Sequence, residues 1–123
     1  MDRTMSAVID SDVLIDCLAG IGPAADEVDS HRDPSISIIS WTEVMTGAKS
    51  REIQASTEKF LARFNLLFIS RAIARDSANL RRLHRLKLPD AMIWATARCH
   101  GMILVTRNTK DFPKGDSTIR IPY

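Results

Sequence analysis

Short apolar runs alternate along this chain with longer stretches in which apolar positions recur every three or four residues. Such alternation predicts βαβ units and a mainly parallel sheet. Ala7-Val8-Ile9 is uninterrupted apolar sequence and predicts a buried strand. Val13 to Leu18 predicts a helix stopped by Gly20, and Gly22-Pro23 opens a second helix carrying Asp26, Glu27 and Asp29. Ile36 to Ile39 is the next strand, leading into a helix from Trp41 to about Lys49. Ile53, Phe60, Leu61 and Phe64 share one face of a further helix. Leu66 to Ile69 predicts a third strand, followed by a helix with Ile73, Leu80 and Leu83 turned inward. Pro89, whose fixed φ suits a first helical turn, opens a helix from Asp90 to Cys99. That helix is apolar nearly all round, which predicts a central, buried position. Beyond Gly101, Met102 to Val105 is a fourth strand and Ile119 to Ile121 a fifth, at the edge. No repeat, low-complexity stretch or linker interrupts the pattern, so residues 1–123 read as one α/β domain.

Composition narrows this only slightly. A chain of 123 residues with 45% hydrophobic and 26% charged residues is ordinary for a globular domain. At that length roughly two-thirds of the unfolded surface can be buried, so no covalent or metal staple is needed. Cys17 and Cys99 lie far apart without a CxxC or Cys/His cluster, which argues against a disulfide framework or a zinc site and suits a reducing cytoplasm. Met1 to Ser6 precede only a short apolar run, so neither a signal peptide nor a membrane span is expected. The net charge of +2 is uninformative, but its distribution is not. Arg71, Arg75, Arg81, Arg82, Arg85 and Lys87 face one acid, Asp76, within a single predicted helix and its exit. The stretch is either a solvated helix face or a phosphate-attracting stripe.

The candidate chemistry lies at the strand ends. Asp10 ends the first strand, Glu43 follows the second, Asp90 opens the buried helix, and Asn108 and Asp111 follow the fourth strand. Ligands of open parallel sheets bind beyond the carboxyl ends of the strands, where these groups would converge. Carboxylates that close repel one another by several kcal/mol, so a cluster implies a neutralising cation. Oxygen-only donors indicate Mg²⁺ or Mn²⁺ rather than zinc, and such an ion with open positions suits phosphodiester hydrolysis. Each residue also has a purely local reading. Asp10 can cap the helix after it, and Ser40-Trp41-Thr42-Glu43 matches a capping box. Asp90 is favourable charge at a helix start, and Asn108 and Asp111 fit a polar loop. Thr106 is either a strand-end hydroxyl or a group that holds a carboxylate or a metal-bound water, and Arg107 can meet a phosphate. His31, His84 and His100 show no spacing that pairs them with a nucleophile or a metal.

Four segments together resemble the motifs of the PIN-domain family. Val8-Ile9-Asp10-Ser11-Asp12-Val13-Leu14-Ile15-Asp16 resembles its first motif, a strand followed by Asp-Thr/Ser-Asn-Val-Leu-Ile. Ile38 to Ala48 is similar to the second, around Glu43, and Leu88 to Ala97 to the third, around Asp90. Leu104 to Phe112 resembles the fourth, Thr-x-Asn/Asp-x-x-Asp/Glu-Phe. The four occur in family order and span almost the whole chain. The resemblance implies a PIN-like fold: a parallel sheet of about five strands with helices on both faces. It implies a Mg²⁺- or Mn²⁺-dependent endoribonuclease cutting tRNA, rRNA or mRNA, with Asp10, Asp90 and Glu43 as metal ligands. Glu43 alternatively positions and deprotonates the attacking water. The short chain favours the VapC toxins, which act as homodimers silenced by a VapB-type antitoxin. Asp12 departs from the usual asparagine, and either Asn108 or Asp111 completes the site. Arg81, Arg82, Arg85, Thr106 and Arg107 are the candidate RNA contacts.

Three other readings compete. Ile9-Asp10-Ser11-Asp12-Val13 also resembles the nucleophile motif of haloacid-dehalogenase-like phosphatases, with Asp10 as nucleophile and Asp12 as acid/base. That fold needs a longer chain and gives Glu43 and Asp90 no role. A receiver domain would require an acid where this chain has Ser70-Arg71. A PIN-like module that binds RNA or a partner without cutting is the non-enzymatic reading.

Overall fold

Strand β1 (Ala7–Ile9) has no solvent-exposed residue and lies at the centre of a five-stranded sheet of order β3-β2-β1-β4-β5. The computed structural model describes residues 6–123. Residues 1–5, which the single-domain expectation and the reading of the N-terminus include, lie outside the described residues. The flanking strands are β2 (Ser35–Ser37), β3 (Asn65–Leu67), β4 (Ile103–Val105) and β5 (Ile119–Arg120), and every pairing is parallel. Ala7, Val8 and Ile9 stand opposite Ile103, Leu104 and Val105. The helices are α1 (Ser11–Leu18), α2 (Gly22–Asp29), α3 (Ile38–Thr46), α4 (Arg51–Leu61), α5 (Arg71–His84) and α6 (Leu88–Cys99).

The period of two along a strand divides the core. Ala7, Ile9, Ile36 and Val105 pack with Val13, Leu14, Val28, Val44 and Leu61 of α1 to α4. Val8 and Leu104 pack on the opposite face with Ile73, Leu80, Ala91, Trp94 and Ala97 of α5 and α6. Alternate residues therefore serve opposite faces, and helices cover both sides, as the family resemblance implies. Helix α6 buries Ala91, Ile93, Trp94, Ala95, Thr96 and Ala97, in line with its apolar sequence.

Three local expectations are corrected. Helix α3 begins at Ile38 rather than Trp41, because the Ser37 hydroxyl accepts from the Ile39 N–H at 3.1 Å and caps it. Ser40 thus lies inside the helix, fully buried, and the Ser40–Glu43 capping box does not form. Leu83 is 75% exposed. It lies roughly 80° around the helix from Ile73, while His84 reaches Trp94 with ring centroids 5.4 Å apart. Ile53 is 52% exposed, and Thr57 occupies the buried place on α4.

Candidate metal centre

Because all strands run parallel, their carboxyl ends open along one edge, and α6, which feeds β4, starts at that edge. Asp10 directly follows β1, and its N–H extends the ladder to Val105 O at 2.9 Å. Its carboxylate caps α1, accepting from Ser11 N–H at 2.7 Å through Oδ1, while Thr106 Oγ1 donates to Oδ2 at 2.7 Å. The local capping role therefore exists, yet this cap is only 4% exposed. Ser11 Oγ donates to Glu43 Oε1 at 2.9 Å and lies 3.3 Å from Asp10 Oδ1, so one hydroxyl joins acids from two elements.

Asn108 and Asp111 divide their roles. The Asn108 amide donates to Asp111 Oδ2 at 3.0 Å, and its own oxygen accepts from the N–H groups of Lys110 and Asp111. Asp111 stands near enough to Asp90 to raise its pKa; burial is the larger cause, and Glu43 and Asp12 add to it. Burial, then the charge of Asp12, raises the Asp10 carboxyl from 3.8 to about 7 against the bonds from Thr106 and Ser11, with Asp90 adding a smaller push. Burial also raises Asp12, against the Arg107 N–H that donates to its Oδ2 at 3.1 Å. The structure thus gathers Asp10, Glu43, Asp90 and Asp111, and adds Asp12.

Among the described residues no three His, Cys, Asp or Glu side chains stand close enough to hold an ion as they are. The donor set nonetheless fits a hard cation. It is all oxygen, and none of its members forms an ion pair among the described residues. Asp12 Oδ1 is buried without a hydrogen-bond partner there, and so is Ser40 Oγ, one turn before Glu43 on α3.

Sequence reasoning missed Ser11, although the Asp-Ser pair was visible inside the first motif. Thr106 is fully buried and holds Asp10. Arg107 pairs with Asp16 at 3.0 Å and lies 4.8 Å from the Tyr123 ring centroid, its side chain 47% exposed. Arg81, Arg82 and Arg85 line an open cavity of about 490 Å³ with Ala78 and Leu86. Arg85 ends α5 in the left-handed region, with φ 56°. A second cavity, about 380 Å³, lies between α1, α3 and α4; its lining includes Ile15, Leu18, Glu43, Ala48 and Ile53. His31 is buried 2.7 Å from Glu27 Oε2. Cys17 and Cys99 are both free. Among the described residues no helix is long and apolar enough to cross a membrane.

The family model for the PIN domain matches residues 7–116. No curated protein matches the chain. Among solved structures, a chain of a toxin–antitoxin complex from Klebsiella pneumoniae is 43% identical, with 96% of this chain and 98% of that one covered and a TM-score of 0.90. FitAcB from Neisseria gonorrhoeae matches at 21% identity, 94% and 97% coverage and a TM-score of 0.80. VapBC2 from Rickettsia felis, bound to a DNA fragment from its promoter, matches at 20% identity, 94% and 96% coverage and a TM-score of 0.78. These matches displace the phosphatase reading of Asp10 and Asp12. On the family model and the 43% identical relative, the chain belongs to the PIN-domain family.

Proposed function

We propose that this chain is a Mg²⁺- or Mn²⁺-dependent endoribonuclease, the toxin of a toxin–antitoxin pair. The observation that carries this reading is the gathering of Asp10, Asp12, Glu43, Asp90 and Asp111 at one sheet edge without an ion-paired base among the described residues. Asp10, Glu43 and Asp90 would hold the ion, with Asp111 beside Asp90. A bound Mg²⁺ or Mn²⁺ supplies Lewis acidity to the phosphodiester and acidifies a water for attack. The remaining work belongs to the chain. Thr106 and the Ser11 N–H fix the two oxygens of Asp10, and Ser11 Oγ fixes one oxygen of Glu43. The other oxygen of Glu43 accepts the proton of the attacking water. Asn108 holds Asp111 toward Asp90.

An acidic edge repels RNA, so cleavage requires basic groups beside it. The cavity of Arg81, Arg82 and Arg85 meets that need. Only Arg85, Leu86 and Lys87 separate α5 from α6, and Lys87 lies near enough to Asp90 to lower its pKa. Phosphates flanking the cut bond sit on this rim, and the exposed part of Arg107 adds a further contact.

The Klebsiella pneumoniae relative, solved as a toxin–antitoxin complex, supports an antitoxin partner, which we read as of the VapB type. The cavity between α1, α3 and α4 supports it independently. Ile15, Leu18 and Ile53 are about half exposed there, and Glu43 borders both the cavity and the acidic edge. An antitoxin segment laid on that apolar surface brings an arginine or lysine to Glu43. We read the toxin as a cytoplasmic homodimer, the arrangement that the family resemblance implies.

The test is RNA cleavage by the purified protein with and without metal. Cleavage should require Mg²⁺ or Mn²⁺ and stop in EDTA. Full activity after exhaustive EDTA treatment sinks the mechanism.

A further inference from the structure

We infer that Asp12 is an additional carboxylate ligand of the divalent cation, giving this chain tighter metal binding than an asparagine at that position allows. The inference rests on the metal-dependent reading above and concerns the residue at which this sequence departs from the usual motif. Three observations carry it. Asp12 Oδ2 is already occupied, accepting from the Arg107 N–H at 3.1 Å. Thr106 Oγ1 lies 3.3 Å from the same oxygen, but a hydroxyl has one proton, and the 2.7 Å contact to Asp10 takes it. That leaves Oδ1, shielded from solvent and accepting no well-formed hydrogen bond among the described residues, with only the neighbouring Val13 N–H otherwise close to the carboxylate.

An asparagine would solve this problem locally. Its carbonyl would accept from Arg107, and its NH₂ would offer protons to the carboxylates beside it. An ionised aspartate has no proton to offer, so a buried lone pair there is destabilising unless something positive meets it. No Lys, Arg or His pairs with Asp12 among the described residues. Thr106 Oγ1 lies within 3.3 Å of one oxygen of each of Asp10 and Asp12, which places the two carboxylates side by side. A divalent cation satisfies Asp12 Oδ1 and offsets the extra charge together. Affinity for hard cations rises with the number of charged oxygen ligands.

The experiment is direct Mn²⁺ binding, by calorimetry and by the electron-spin signal of free Mn²⁺, to wild type, Asp12→Asn and Asp10→Asn. The asparagine keeps the acceptor for Arg107, so Asp12→Asn should fold and melt in EDTA no lower than wild type. It should bind Mn²⁺ on the order of 10-fold more weakly or worse. A purely structural Asp12 would not move that constant. Equal Mn²⁺ affinity in folded wild type and Asp12→Asn overturns the inference, since Asp12 would then be protonated and imitating the amide. Wild type that binds no Mn²⁺ overturns the metal-dependent reading itself, and this inference with it. Should the asparagine variant misfold, Asp12→Ser, smaller and neutral, is measured against the same outcomes.

Discussion

Replacing Asp10 by asparagine should make the metal-free protein more stable above neutral pH while abolishing cleavage. The carboxylate is 4% exposed, and burial with the charge of Asp12 raises its pKa from 3.8 to about 7. The native state therefore holds the proton more tightly than the unfolded chain does. This contribution is fully present below pH 4, declines as the pH rises, and is lost once the pH passes 7. At about 1.4 kcal/mol per pKa unit, ionised Asp10 burdens the fold by about 4 kcal/mol. Asparagine keeps the cap on Ser11 and carries no charge, so its stability should not fall over this window. At pH 8 in EDTA the variant should stand above wild type by up to that amount, a shift on the order of 10 °C in Tm. Urea and thermal melts from pH 5 to 8 at fixed ionic strength measure the difference, and Mg²⁺ should raise the Tm of wild type alone. Parallel pH profiles for the two proteins, with no response to Mg²⁺ in either, would refute the reasoning and leave Asp10 an ordinary cap.

Thr106→Val keeps the shape and removes the proton that Asp10 Oδ2 accepts, so metal-free stability at pH 8 should fall by about 1–3 kcal/mol; an unchanged urea midpoint would assign the bond no weight. Replacing Arg81, Arg82 and Arg85 together by glutamine should weaken RNA binding and reduce the slope of log affinity against log salt by about 2–3. An unchanged slope returns these residues to the solvated face. Glu43→Gln should speed dissociation of the antitoxin, seen by surface plasmon resonance, if an arginine or lysine meets this carboxylate. Identical dissociation would place inhibition elsewhere on the toxin.

The order of elements and most of the acidic cluster were legible because one physical cause writes both. Parallel strands buried on two faces must be apolar throughout, and the polar residues just beyond them mark the edge where ligands bind. Asp10 could be placed in this way, and Asp90 by Pro89, which marks the start of the buried helix α6. The start of α3 could not, because Ser37 and Ser40 have the same local chemistry. The choice between them depends on β2 pairing with β1 and β3 over only three residues. The outward turn of Leu83 was hidden for a similar reason, since the contact of His84 with Trp94 is made on another helix. The roles of Thr106 and Arg107 depend on partners 96 and 91 residues away, Asp10 and Asp16, which no local window contains.

The central place of β1 also fixes when during synthesis the site can exist. Asp10 is made early, but its N–H and its Oδ2 are engaged by Val105 and Thr106, in and just after β4. Chains emerge from the ribosome N-terminus first. A nascent chain halted before Ile103 has Asp10 and Glu43 yet lacks the strand that organises them, so it should be harmless to the RNA of the ribosome making it. Stalled chains released at Gly101 and assayed for cleavage would show whether that interval is silent. If it is, the antitoxin need only be present once β4 has been made.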